Sequence, residues 1–121
     1  MQQALQITFR NLDHSDAAES YIREQTEKLT TFEPHLIGCR VTLEQPHRHR
    51  HAPAPRVRIE LLVRGEDIVV DYTPPDEAHE EGFRAAIDQA FARAKRRLVS
   101  HAGRVRDEHV RAEREVSASR R

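Results

Sequence analysis

Several things are scarce in this chain of 121 residues, and each scarcity closes off a class of protein. A lone cysteine, Cys39, cannot form an intrachain disulfide. The four glycines, Gly38, Gly65, Gly82 and Gly103, are scattered, so there is no glycine-rich phosphate loop and nucleotide hydrolysis is not suggested. No apolar run approaches the length of a membrane span or a signal peptide, and with the single thiol this points to a reducing cytoplasm and to no membrane partner. No repeat with a period of roughly 20 to 50 residues is visible. Net charge is absent too, with 20 basic residues set against 20 acidic ones.

What is present is a chain long enough for one domain with one core, a third of it charged and 37% hydrophobic. The neutral total hides a gradient. Lys and Arg number 4 against 7 acids in residues 1–46, and 11 against 9 in residues 76–121.

The stretch His79 to Arg106 organises the rest. Wound at about 100° per residue, it places Phe83, Ile87, Ala90, Phe91, Ala94, Leu98 and Val105 on one face, which must be buried. Arg93, Arg97 and Arg104 form a stripe beside that face, with Arg96 next to it on the solvent side. From Arg93 to Arg106 there are six Lys or Arg, Lys95 among them, and no acid, so an anion larger than one carboxylate could lie there. Asp76, Glu77, Glu80 and Glu81 sit in the first turns, with Asp76 as the expected cap. The plainer reading is a solvated helix whose charges only help it fold.

Upstream, Leu5, Ile7 and Phe9 alternate with polar residues as in a half-buried strand. Ser15 then caps a helix with apolar positions at Ala18, Tyr21, Ile22, Leu29 and Phe32, which Pro34 ends. Cys39, Val41 and Leu43 mark a second strand, and Val57, Ile59, Leu61 and Val63 a third. Arg64-Gly65-Glu66-Asp67 turns into a fourth, in which Ile68, Val70 and Tyr72 face the core. The order β-α-β-β-β-α predicts an α+β two-layer sandwich: a four-stranded sheet with both helices packed on one face and the other face open to solvent. Residues 1–107 are expected to form the domain, and 108–121 a charged tail that prolongs the helix or is disordered.

His47, Arg48, His49, Arg50 and His51 alternate before Ala52-Pro53-Ala54-Pro55. In an extended conformation the three histidines share one side and could hold a metal ion, although the interleaved arginines repel a cation and no closed zinc site is spelled out. The other reading is an exposed loop that gains charge below about pH 6.5 and contacts RNA. Asp13, His14 and Ser15 have the residue types of a triad but are too close in sequence to converge on one reacting centre. Cys39 falls in the buried period of its strand and is expected to be a core residue. No enzyme, cofactor, bound metal or small-molecule substrate is suggested.

The segments ITFRNLDHSDAAESYIREQTEKL, IGCRVTLE and HEEGFRAAIDQAFARAKRRL, across about residues 5 to 105, resemble the ribosome hibernation promoting factors, also called ribosome-associated inhibitor or sigma-54 modulation proteins. The resemblance implies a fold akin to double-stranded RNA-binding domains and a translation silencer. Such a protein would bind the 16S rRNA of the small ribosomal subunit in the decoding region and block the mRNA and tRNA sites of idle ribosomes. The family's basic positions match Lys28, Arg93 and Arg96, with Arg97 extending the patch, and His79 is matched as well. Gln25 stands where the family often has Lys, and Arg84 where it has an aromatic residue. The chain is too short for the dimerisation domain of long members, so pairing of ribosomes is expected to need another factor. Two alternatives stand beside this: a regulatory protein-interaction module of the same fold without rRNA binding, and a metal-responsive protein using the His47–His51 loop. If rRNA binding holds, Arg93, Arg96 and Arg97 are expected to serve it while being dispensable for folding, because all three lie off the buried stripe.

Overall fold

The computed structural model describes residues 4–45, 55–75 and 82–119, with side chains to residue 103. The element order is the expected one: β1 Ala4–Arg10, α1 Asp16–Phe32, β2 Gly38–Glu44, β3 Arg56–Val63, β4 Glu66–Tyr72 and α2 Gly82–Ser119. The four strands form one sheet in the order β1-β2-β3-β4. Only β1 and β2 run parallel. A parallel pair needs a crossover of a dozen or more residues, and the 17-residue α1 supplies it.

The local chemistry is what places each boundary. Ser15 Oγ accepts from the Ala18 amide at 3.1 Å and caps α1. At the other end the Glu33 amide donates to Leu29 O at 2.8 Å, immediately before Pro34. Asn11 adopts a left-handed φ of 58°, which its short polar side chain tolerates. From there its Nδ2 donates to Gln45 O at 2.7 Å and clamps the ends of β1 and β2 together. The β3–β4 turn is tighter than expected. Val63 pairs with Glu66, so only Arg64 and Gly65 lie outside the ladder, with Gly65 at φ 93°. The expected Asp76 cap and residues 76–81 lie outside the described residues.

Every second residue of β2, β3 and β4 points into one core: Cys39, Val41, Leu43, Val57, Ile59, Leu61, Val63, Ile68 and Val70 are buried. Ile22 and Leu29 of α1, and Ile87, Phe91 and Leu98 of α2, close over the same core, so both helices lie on one sheet face. Ala86, Ala90 and Ala94 are also buried, and their small side chains leave little to hold α2 away from the strands. Two positions of α1 differ from expectation. Phe32 is 44% exposed, because the helix ends there and its last turn overhangs the core edge. Thr26 is buried in the middle of the helix, its hydroxyl satisfied by Ile22 O at 2.8 Å. The backbone of α2 stays helical through the position where the domain was expected to give way to a tail.

Candidate nucleic-acid interface

Helical geometry spreads the basic residues of α2 over three directions. Arg93 and Arg97, one turn apart, lean towards β4. Arg93 Nη1 donates to Asp71 O at 2.9 Å and its guanidinium stands 5.1 Å from the ring centre of Tyr72, while Arg97 Nη1 donates to Val69 O at 3.4 Å. β4 is an edge strand, and carbonyls two residues apart face the same way along it. The two arginines therefore occupy acceptors that a sheet edge otherwise leaves open. They have a structural task as well as a charge, which qualifies the expectation that they are dispensable for folding. Arg96 is exposed on the outward side of the helix.

Lys95 leans the opposite way, towards α1, and sets its Nζ 4.8 Å from the ring centre of the exposed Phe32. Beneath it a groove of about 270 Å³ runs between the helices, lined by Gln25, Lys28, Leu29 and Phe32 on one side and Asp88, Phe91, Ala92 and Lys95 on the other. Lys28 and Lys95, far apart in sequence, thus share one concavity. Lys28 also sits 4.0 Å from Glu24, an exposed pair that holds it only weakly. Further along the same seam the Tyr21 hydroxyl donates to Asp88 Oδ1, and Arg84 lies 5.0 Å above the Tyr21 ring. The carboxylate beside the phenol holds the Tyr21 pKa above its usual value, chiefly through that hydrogen bond. Arg84 is therefore packed as a stacking partner of Tyr21.

Of the remaining candidates, His47, Arg48, His49, Arg50, His51 and His79 lie outside the described residues, and the side chain of Arg104 lies beyond those described.

The opposite sheet face is charged in a different manner. Cross-strand neighbours there carry opposite signs, since Arg40 faces Glu60, Glu44 faces Arg56 and Arg58 faces Asp71 in the register. The resulting ion pairs are Arg40–Glu60 at 3.7 Å, Arg56–Glu44 at 3.9 Å, Arg56–Asp71 at 3.5 Å, Arg58–Glu60 at 3.2 Å and Arg58–Asp71 at 4.0 Å. Each is worth little to stability. Together these three arginines and three acids neutralise one another locally. The lattice is not visible in the sequence, because alternation gives the face of a residue but only register gives its neighbour.

A second feature missed in the sequence is the trio His14, Asp16 and Glu19, whose ligand-type atoms lie within 4.8 Å of one another. His14 Nε2 meets Glu19 Oε2 at 2.7 Å and its Nδ1 meets Asp16 Oδ1 at 3.4 Å. Hydrogen bonds from Arg23 first, and His14 second, hold the Glu19 carboxyl below its ordinary pKa. The trio sits at the N-terminus of α1, where the helix dipole opposes a cation, and Arg23 opposes it again. It is an ion-paired helix start.

The fold is thus a four-stranded sheet backed by two helices, with four cations and no acid from Arg93 to Arg97 of α2. Residues 5–106 match the family model described as sigma 54 modulation protein / S30EA ribosomal protein. The chain belongs to this family. Its members are ribosome-associated modulation proteins and not a known enzyme family. Among solved structures the fold is similar to the N-terminal domain of Protein Y from Thermus thermophilus, at 20% identity over 80% of this chain and 96% of that one, with a TM-score of 0.59. It is also similar to a ribosomal subunit interface protein from Coxiella burnetii, at 11% identity over 84% and 99%, with a TM-score of 0.64. No curated protein sequence matches. Among the described residues no helix is long and apolar enough to cross a membrane.

Proposed function

We propose that the protein silences translation by occupying the decoding region of the small ribosomal subunit, where it blocks the mRNA and tRNA sites of idle ribosomes in the cytoplasm. The folded domain assigned to this task is residues 1–107. No bond is made or broken. The block is steric, and Lys28, Lys95, Arg96 and the outward parts of Arg93 and Arg97 hold it in place by contacts to 16S rRNA phosphates, with Arg104 of α2 and His79 also contributing. Phosphate contacts position a protein without reading sequence, and structured RNA is recognised largely by shape.

The observation that carries this reading is the contrast between the two layers. Arg40, Arg56 and Arg58 of the open sheet face pair with carboxylates on their own or adjacent strands, whereas Arg93 to Arg97 present four cations within five residues and no acid. The Arg93–Arg97 run of α2 therefore offers a polyanion an unbalanced local field. Sedimentation of the purified protein with small subunits through sucrose tests it. The protein should travel with the subunit at low salt and stay at the top at high salt, because affinity falls by roughly 0.7 to 0.9 log units per phosphate contact for each tenfold rise in salt. A protein that remains at the top at every salt concentration contradicts the proposal.

A further inference from the structure

The groove between α1 and α2 has a composition that phosphate binding alone does not require. Its mouth carries two amines, Lys28 and Lys95, and its wall includes the ring of Phe32, which is 44% exposed although it is a large aromatic side chain. At 4.8 Å from Lys95 Nζ, that ring already engages a cation through its π face. The groove also contains an amide, Gln25, and a carboxylate, Asp88, which together offer a donor and acceptors. At about 270 Å³ it is just below the usual range for small-molecule sites, room for one ring system rather than an extended ligand. An aromatic platform flanked by amines is how single-stranded nucleic acid is held, with the base stacked and the phosphate paired.

We propose that this groove receives one unpaired nucleotide of an RNA strand, its base stacked on Phe32 and its phosphate held between Lys28 and Lys95. The inference rests on the RNA-binding reading of the helix layer and adds to it a base contact. Lys95 swings from the ring to the phosphate as the base arrives, so the cation is exchanged for a stacked base and loses no partner. The weak Lys28–Glu24 pair yields in the same way. Gln25, which lines the groove, then faces a base edge and can hydrogen-bond to it.

The test titrates the full chain with an eight-nucleotide single-stranded RNA carrying one 2-aminopurine, following anisotropy and base emission. Binding should quench the emission. Phe32→Leu, which keeps apolar volume and removes the ring, should weaken affinity roughly tenfold with the salt slope unchanged, and Phe32→Tyr should restore it. Lys95→Gln should instead lower the slope by about 0.7. Unquenched emission, or a Phe32→Leu protein that binds like the parent while still sedimenting with small subunits, overturns the base site and leaves the ribosome reading intact. An acidic peptide binding as tightly as the strand also overturns it. Failure of the parent protein to sediment with subunits is the separate failure, that of the ribosome reading itself.

Discussion

Arg93 Nη1 donates to the main-chain oxygen of Asp71 at 2.9 Å, fastening the flank of α2 to the exposed edge of β4. A residue that helical spacing places in a basic stripe beside the buried face is therefore also the seal on a sheet edge. Arg97 repeats the contact one turn later at Val69. Arginine suits both tasks at once, because its fork of five donors can spend one on a carbonyl and present the rest to an anion.

Stability and binding should accordingly separate along α2. Arg93→Ala is expected to lower unfolding free energy by about 1 kcal/mol, the usual net worth of one such hydrogen bond. Arg96→Ala should change it by less than about 0.5 kcal/mol, as is usual for a surface position. Urea unfolding followed by circular dichroism measures both. Equal effects would mean that the edge contact carries no stability.

Burial pushes the Cys39 thiol up to about 12, desolvation outweighing the hydrogen bond with Thr26. The native protein should resist thiol reagents at pH 8 and react only as it unfolds. The sign for stability follows from the raised value. The folded state favours the neutral thiol, so its contribution is intact below the unfolded value of 9.0 and is lost as pH climbs from there towards 12. Cys39→Ala should flatten that alkaline decline.

At the acid end Glu19 behaves in the opposite sense. Its folded pKa is depressed by Arg23 and His14, so its contribution is present above the ordinary 4.5 and disappears as pH falls below it. Thermal melts between pH 7 and pH 3 should show a shallower acid loss for Glu19→Gln than for the parent. An unchanged acid slope would show that the exposed pair is not held in solution.

Ala90 is fully buried between α2 and the sheet, so Ala90→Leu should overpack the interface. The expected loss is about 1–3 kcal/mol. A variant of unchanged stability would show that the helix is free to lift from the strands.

Much of this was legible in the sequence, and the reason is periodicity. Cys39, Val41 and Leu43 declare a strand, and Phe83, Ile87, Ala90, Phe91, Ala94 and Leu98 declare a helix, because burial repeats with the geometry of each element. Ser15 and Gly65 declare boundaries because few residues suit a cap or a left-handed turn. Relations between elements were not legible. That Phe32 overhangs the core rather than entering it depends on where α1 stops relative to the sheet. That Arg56 meets Glu44 and Asp71 depends on register across three strands. Lys28 and Lys95 lie 67 positions apart in the chain, and only the packing of α1 on α2 brings them to one groove.

The central claim is that the helix layer, and not the charge-paired sheet face, carries the affinity for ribosomal RNA. Two charge-reversed proteins test it in one experiment: Lys28→Glu with Lys95→Glu and Arg96→Glu on the helix layer, and Arg10→Glu with Arg40→Glu and Arg58→Glu on the sheet face. Both lose three cations and gain three acids, so net charge is matched. With small subunits in a low-salt sucrose gradient, the helix-layer variant should stay at the top while the sheet-face variant still travels with the subunit. The reverse pattern, or equal loss in both, would contradict the account.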